Sequence, residues 1–191
     1  MRKIILASRS KARRALLRQV GLKFSTAASN ARESRSLTKG CAALVVANAR
    51  AKARNIARRY NSGVVISADT VVLVGKKIIG KPKDMPDAFR TLKLLSRKPQ
   101  WVYTGIAVLD IDRKDEFTAY EKTKVYMMRL TDAEIRGYFK KVSPLDKAGS
   151  FDIQGLGALF IDHIEGCYYN VVGLPLAKLA ALLKKVGVHV F

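Results

Sequence analysis

Two ionisable side chains of this sequence occupy positions where their neighbours predict an apolar residue. Asp69 stands between the apolar runs "VVISA" and "TVVLV", and Lys52 shares one helical stripe with Val45, Ala49 and Ile56. A buried carboxylate loses several kcal/mol of hydration unless a metal, a cation or hydrogen bonds compensate. At a strand end, Asp69 would be a candidate metal ligand or general base, and Lys52 a cation that meets an anion. A purely structural Asp and a lysine that snorkels to solvent are the alternatives.

A second unusual pattern is the run of cations at the start of the first predicted helix. Ser10 is a good N-cap, so Lys11, Arg13 and Arg14 fall in the first turn. That turn already carries free N–H groups and the positive end of the helix dipole. A bound anion would compensate, because N–H groups and cations would converge on it as they do on phosphates. The alternative is that Lys11 and Arg14 point into water.

Two loop lysines and one glutamate complete the candidates from residue type alone. Lys81 in "IGKPKD" and Lys147 in "PLDKAGS" stand beside Gly or Pro, which fix the backbone and let a ligand approach. Glu33 is the only acid before Asp69. The two carboxylates could hold Mg²⁺ or Mn²⁺ against substrate phosphates. The alternatives are an ion pair of Glu33 with a neighbouring arginine, and solvent exposure for the lysines.

These residues must be positioned by alternating helices and strands. The pattern predicts a strand at Ile4–Ala7, a helix from Ser10 to Gly21, a helix from about Cys41 to Tyr60, two strands within 62–82, a helix from near Asp84, a hairpin turning at Asp112–Asp115, a capped helix from Thr131 to Lys141, a strand within 143–166 and a helix between Pro175 and Gly187. Such alternation is typical of an α/β protein with a mixed sheet. Because no linker or repeat interrupts the chain, one domain over residues 1–191 is expected.

Composition limits the classes of function. Among 191 residues, 36 Lys and Arg exceed 15 Asp and Glu, which gives a net charge of +21. This excess attracts nucleic acid, anionic membranes or phosphate-rich small molecules, unless it is a solvated surface without a specific partner. No run approaches the roughly 18 apolar residues of a membrane span, and no signal peptide is evident, so a cytoplasmic protein without a membrane partner is expected. The cysteines and histidines lack metal or triad spacing, and P-loop and dinucleotide motifs are missing.

Five ordered motifs resemble those of the Maf-like nucleotide pyrophosphatases. They are "LASRSKARRALL", "SADTVV", "GKPKD", "PLDKAGSFDIQGLG" and "NVVGLPL", and the resemblance extends from about Ile4 to Leu183. It implies an α/β fold related to the inosine triphosphate pyrophosphatases, with an elongated mixed sheet flanked by helices and two lobes around a central cleft. It also implies hydrolysis of nucleoside triphosphates to the monophosphate and pyrophosphate, a divalent metal ion (Mg, Mn or Co) as cofactor, and a homodimer.

The resemblance assigns roles to individual residues as well. The positions of the family's catalytic cluster are Glu33, Lys52, Asp69 and Lys81. Asp69 corresponds to the family's proposed proton acceptor. Glu33 and Asp69 are the expected ligands of the metal ion, from their residue type. Ser8 and Arg13 fall on the family's phosphate-binding loop, and Lys147, from its own loop position, is a further expected phosphate-binding residue. Thr70 and Gln154 resemble the branch that acts on dTTP and UTP, whereas Ala12 replaces the Arg that usually fills a specificity position.

Three other classes of function remain open from the sequence. A nucleic-acid-binding protein would account for the charge, although no aromatic-rich, zinc or Arg-Gly motif is present and Lys52 and Asp69 would stay unexplained. A regulatory protein of cell division and septum formation, the role attached to the family name, would bind nucleotide without turnover. A phosphatase would release orthophosphate rather than pyrophosphate.

Overall fold

A seven-stranded sheet is the frame of the computed structural model, which describes residues 2–190. The strands are β1 (Ile4–Leu6), β2 (Ser25–Thr26), β3 (Val64–Val74), β4 (Lys77–Ile79), β5 (Gln100–Asp110), β6 (Asp115–Met127) and β7 (Ile161–Glu165). Their order is β2-β1-β3-β5-β6-β7, with β4 also paired to β3. β1 is parallel to β2 and β3, whereas β4 is antiparallel to β3 and β7 to β6. The predicted mixed sheet is confirmed.

The helices are α1 (Lys11–Gln19), α2 (Gly40–Ala57), α3 (Met85–Leu95), α4 (Asp132–Lys141), α5 (Tyr168–Val172) and α6 (Leu176–Lys185). Three of the helices, α1, α3 and α4, begin after residues that are good N-caps in the sequence. The Ser10 hydroxyl accepts a hydrogen bond from the Arg13 N–H, and Thr131 and Glu134 form the predicted capping box. The α/β class is therefore confirmed. Within residues 2–190, every helix is too short or too polar to cross a bilayer.

Asp69 lies inside a strand rather than at a strand end. β3 continues through this residue to Val74, because the apolar runs on both sides of Asp69 belong to one strand of eleven residues. The pairing of β1 with β3 ends at Leu6 and Ile66. The carboxylate therefore lies three residues beyond the last residue of β3 that pairs with β1.

The chain divides into two compact units. Unit 1 comprises Met1–Thr70, Thr104–Glu121 and Gly173–Phe191, and unit 2 comprises Val71–Tyr103 and Lys122–Val172. One core of unit 1 packs small and branched side chains from α2 and the sheet, among them Ile5, Ala49, Ile56, Val65 and Ala107. The core of unit 2 joins α3 and α4 to the sheet, with Leu92, Leu95, Val125, Ile135 and Phe160. The single domain and the central cleft stay predictions.

In unit 1, α2 packs directly on β5 at a glycine. A Cβ atom built on Gly105 would lie 2.4 Å from the backbone carbonyl of Val45, which no side chain can accommodate. Ala49, one turn further along α2, is fully buried. This close approach sets the height of α2 above the sheet. The same helix carries Asn48 and Lys52.

Candidate active site

The Asp69 carboxylate is the centre of a buried polar cluster in unit 1. Its side chain is only 8% exposed. Oδ1 accepts a hydrogen bond from Lys52 Nζ at 2.7 Å, and Oδ2 accepts one from Asn48 Nδ2 at 2.9 Å. Both donors lie on α2 four residues apart, so they project from one face of the helix. The helix therefore fixes the orientation of the carboxylate through both oxygens.

Lys52 joins Asp69 to the second predicted carboxylate. Its Nζ lies 2.7 Å from Glu33 Oε1 as well as 2.7 Å from Asp69 Oδ1. The Lys52 side chain is 12% exposed, so it does not snorkel to solvent as the alternative interpretation proposed. Because both carboxylates contact one ammonium group, their nearest oxygens are at most twice that distance apart. The structure thus brings together three residues of the predicted catalytic cluster.

Asn48 belongs to this cluster and was missed in the sequence. It is 4% exposed, and besides Asp69 it contacts the backbone of Ser34. Asn48 Oδ1 accepts from the Ser34 N–H at 2.9 Å, and Nδ2 donates to the Ser34 carbonyl at 3.0 Å. One side chain therefore ties the loop next to Glu33 to the Asp69 carboxylate. The sequence does contain a signal for Asn48, because this polar residue lies four residues before Lys52 on the same apolar stripe of the helix.

The Arg13 side chain, which the resemblance assigns to phosphate, is held by acceptors of unit 1. These acceptors are the Gly173 carbonyl at 2.8 Å from Nε, the Ala68 carbonyl at 2.9 Å and Ser8 Oγ at 3.5 Å from Nη1, and Thr70 Oγ1 at 2.9 Å from Nη2. Burial lowers the pKa of the Arg13 guanidinium, and the charges of Asp69 and Glu33 counteract that shift. Since a guanidinium has five N–H groups, most of its donors are already used. Its role as a phosphate ligand stays a prediction.

The other predicted residues of unit 1 lie on the elements around Arg13. Ser8 follows β1 and its hydroxyl accepts from the Ser10 N–H at 3.1 Å. Thr70 Oγ1 shares a hydrogen bond of 2.9 Å with Thr104 Oγ1 on β5. Ala12 is in the first turn of α1 and is partly exposed. The contacts of Ser8 and Thr70 are with protein groups, and the substrate roles of all three residues stay predictions.

Unit 2 carries two predicted lysines on adjoining loops. The Gly149 N–H donates to the Gly80 carbonyl at 3.1 Å, which places the loop of Lys147 beside that of Lys81. Lys147 Nζ donates to the neighbouring Asp146 at 2.7 Å, whereas Lys81 is exposed. The structure therefore brings these two lysines to one side of unit 2.

Gln154, the last predicted residue, is exposed and precedes the 3₁₀ helix Gly155–Phe160. A tight fold of the chain positions it, because a Cβ on Gly157 would lie 1.7 Å from the Asp152 carbonyl oxygen. Burial raises the pKa of the Asp152 carboxyl, and Lys147 opposes this shift. The specificity role of Gln154 stays a prediction.

A metal site built only from protein side chains is not evident in the described range. No group of three or more His, Cys, Asp or Glu residues among 2–190 could hold a metal ion. Glu33 and Asp69 nevertheless fit Mg²⁺, which is usually bound through one or two carboxylates together with substrate phosphates. The negative charges of Glu33 and Asp69 balance the positive charges of Lys52 and Arg13. An added triphosphate would therefore lack a counter-charge in this cluster. A divalent cation fits that requirement.

A comparison with known families decides the relationship. The chain matches the family model described as Maf-like protein over residues 3–186. The chain belongs to the Maf-like protein family. This membership confirms the resemblance inferred from the five motifs of the Maf-like chain.

Individual relatives match this Maf-like chain over nearly its whole length. A dTTP/UTP pyrophosphatase of Methanosarcina barkeri is 44% identical over 192 residues, covering 100% of this chain and 98% of the relative. A protein of the same name from Carboxydothermus hydrogenoformans is also 44% identical, covering 97% and 99%. Among solved structures, the Ham1 protein of Staphylococcus aureus has a TM-score of 0.49 and 14% identity, covering 66% of this chain and 72% of that one.

Proposed function

We propose that this Maf-like protein hydrolyses nucleoside triphosphates, with dTTP and UTP as substrates, to the nucleoside monophosphate and pyrophosphate. The observation that carries the proposal is the buried Asp69 carboxylate held by Lys52 and Asn48. It occurs in a chain that is 44% identical to a protein named dTTP/UTP pyrophosphatase over its full length. A carboxylate oriented in this way suits the removal of a proton from an attacking water.

In the proposed reaction, Asp69 accepts the proton of a water molecule. The water oxygen forms a bond to the α-phosphorus, and the bond from that phosphorus to the bridging oxygen of the pyrophosphate group breaks. Lys52 and Asn48 each occupy one site on a carboxylate oxygen, and an ionised carboxylate has about four such sites. Asp69 therefore retains capacity to accept a proton while its orientation is kept.

Arg13 has a positioning role in this proposal. Its guanidinium donates to the Ala68 carbonyl and to the Thr70 hydroxyl, the two residues on either side of Asp69. These contacts restrain the β3 backbone at the general base. Negative charge grows on the departing pyrophosphate, so the cations Lys52 and Lys81 and the N–H groups at the start of α1 would stabilise the transition state.

The remaining assignments extend the proposal. Glu33 and Asp69 would hold a divalent cation, which would supply charge neutralisation for the triphosphate and acidify a bound water. Lys81 and Lys147 are assigned to phosphates, and Thr70 and Gln154 to the dTTP/UTP preference, on the family motifs alone. The homodimer is also proposed from the family, and light scattering of the purified protein tests it.

The test is pyrophosphate release from a panel of triphosphates. The purified protein is incubated with dTTP, UTP, CTP, ATP, GTP and 7-methyl-GTP, each with Mg²⁺, Mn²⁺ or Co²⁺. We expect pyrophosphate and monophosphate, with dTTP and UTP as the best substrates. Release of orthophosphate would identify a phosphatase instead, and nucleotide binding without turnover would identify a regulatory protein.

A matched pair of variants tests the role of Asp69. Asp69→Asn should lower turnover by at least about 1,000-fold, because it removes a general base and an electrostatic partner together. Asp115→Asn removes the same charge from an exposed residue at the start of β6 and should keep normal turnover. Near-normal activity of Asp69→Asn would contradict the mechanism.

A further inference from the structure

A basic pocket lies beside α1, apart from the residues that contact Asp69. Its volume is about 440 Å³, and all of its lining residues belong to unit 1. Arg14 and Arg18 of α1 and Lys23 of the following loop supply three cations. Ser25 and Thr26 of β2 also line the pocket, and the Ser25 hydroxyl donates to the Ile4 carbonyl at 3.4 Å. No acidic residue lines the pocket. The pocket thus combines positive charge with hydrogen-bond donors.

The three cations of this pocket have no counter-ion among the described residues. No side-chain hydrogen bond or ion pair involves Arg14, Arg18 or Lys23 within residues 2–190. The carboxylates of unit 1 are largely engaged elsewhere. Their ion pairs are Glu33 and Asp69 with Lys52, Asp110 and Asp112 with Arg2, Glu116 with Arg50 and Arg54, and Glu121 with Lys178. None of the described carboxylates of unit 1 pairs with these three cations, so the pocket is open to an external anion.

The spacing of the cations concentrates their charge. Arg14 and Arg18 are four residues apart on α1, so they are neighbours on one helix face. Like charges at this spacing destabilise a helix by about 0.2–0.5 kcal/mol. The helix dipole favours Arg18 in the last turn, but it gives no such support to Arg14 near the N-terminus. Binding of an anion between them would relieve both the repulsion and the unfavourable position of Arg14.

We propose that this pocket binds phosphate groups of a second ligand, separately from the proposed hydrolysis of a triphosphate. Guanidinium groups match the oxygens of a phosphate with two parallel hydrogen bonds, and the Lys23 ammonium and the Thr26 hydroxyl add single donors. The shared chemistry fits a free polyphosphate anion and the phosphate backbone of a nucleic acid alike. The inference does not depend on the proposed function, because none of these residues contacts Asp69, Lys52 or Glu33.

Two triple variants separate this pocket from the general positive charge of the protein. The pocket variant combines Arg14→Gln, Arg18→Gln and Lys23→Gln. The control combines Lys76→Gln, Lys140→Gln and Lys141→Gln, which removes the same charge from exposed positions of unit 2. Both variants are compared with the wild-type chain by calorimetric titration with tripolyphosphate and by fluorescence anisotropy with a labelled 12-nucleotide single-stranded DNA.

We expect at least a tenfold weaker affinity for one of the two probes in the pocket variant and less than a twofold change in the control. A loss confined to tripolyphosphate would identify a free phosphate compound as the ligand. A loss for DNA would identify a nucleic-acid backbone, and the slope of log affinity against log salt would then fall by about 2 for three phosphate contacts.

Equal losses in both triple variants, or no loss in either, would overturn the proposal. Thermal unfolding verifies that the pocket variant is folded, and the single variants Arg18→Gln and Lys23→Gln repeat the test if it is not. Pyrophosphate release from dTTP is measured in parallel and should stay within twofold of wild type. Failure of hydrolysis in the wild-type chain would contradict the proposed function but would leave the binding result for this pocket intact.

Discussion

The two units hold the charged groups assigned to the substrate in opposite ways. In unit 1, Asp69 and Lys52 are almost completely buried, and each has protein partners. In unit 2, Lys81 is exposed on a loop, and Lys147 pairs with Asp146, its neighbour in the chain. A substitution in the unit 1 cluster should therefore change stability and chemistry together, whereas one in the unit 2 loops should change chemistry alone.

The largest difference is expected between Lys52→Met and Lys81→Met, the same substitution in the two settings. Lys52→Met leaves the Asp69 carboxylate buried without its cation, which should destabilise the protein by about 3–5 kcal/mol and abolish pyrophosphate release. Lys81→Met should lower pyrophosphate release while the free energy of unfolding stays within about 0.5 kcal/mol. Urea unfolding and the pyrophosphate assay measure both effects. Unchanged stability of Lys52→Met would remove the distinction between the units.

A second comparison places Arg13 among the structural groups of unit 1. Arg13→Lys keeps the charge but cannot reach all four acceptors, so we expect a loss of about 2–3 kcal/mol in stability. Because Arg13 restrains the residues that flank Asp69, kcat for dTTP should fall more than KM rises. Arg14→Lys, the same change at the next residue, should alter neither quantity. A raised KM with unchanged kcat and stability would instead identify Arg13 as a phosphate ligand.

Asp110 of unit 1 and Asp152 of unit 2 should change the stability of the protein in opposite directions as the pH rises. Hydrogen bonds from Arg2 lower the pKa of Asp110 in unit 1, so its contribution is present above the ordinary carboxyl pKa near 3.8 and is lost as the pH falls through the lower value in the folded protein. Asp110→Asn should thus destabilise the protein at pH 7, and its deficit should shrink below about pH 4.

For Asp152 in unit 2, burial raises the pKa, so the folded protein loses stability as the pH rises from about 3.8 through the folded value. Asp152→Asn should remove that penalty and be more stable than wild type at pH 7, with an advantage that disappears below about pH 4. Urea unfolding at pH 7, 5 and 3 compares the two variants. A change in the free energy of unfolding at pH 7 that has the same sign for Asp110→Asn and Asp152→Asn would contradict the contrast between the units.

The smallest expected effect concerns two buried serines. In unit 2, Ser150 Oγ is buried without a hydrogen-bond partner among residues 2–190, so Ser150→Ala should stabilise the protein by about 1 kcal/mol. In unit 1, Ser67 Oγ donates to the Ala49 carbonyl at 2.6 Å, and Ser67→Ala should destabilise it by about 1 kcal/mol. Thermal unfolding of the two variants measures the difference. A lower melting temperature for Ser150→Ala would mean that this hydroxyl is satisfied after all.

Local sequence signals predicted the elements better than the contacts between them. Ser10, Asp84 and Thr131 mark helix starts through side-chain contacts within a few residues, and all three caps are present. The two-residue strand β2 and the five-residue helix α5 were missed, because such short segments contain no full period of a pattern.

The candidate site has the same division between local and distant information. The apolar surroundings of Asp69 and Lys52 predicted that each needs a partner, and the structure identifies the partner as the other residue. Three of the four acceptors of Arg13 could not be predicted, since Ala68, Thr70 and Gly173 are 55, 57 and 160 residues away in the chain. A buried charge indicates that a contact exists, but only the fold determines which group makes it.

The contact of α2 with β5 at Gly105 makes the geometry of the Asp69 cluster depend on one distance, that between the helix and the strand. Any side chain at that position would lift the helix, and the two groups that orient Asp69 would withdraw together, because both are carried by the same rigid element. A substitution at Gly105 should therefore disturb the orientation of Asp69 without touching the carboxylate itself.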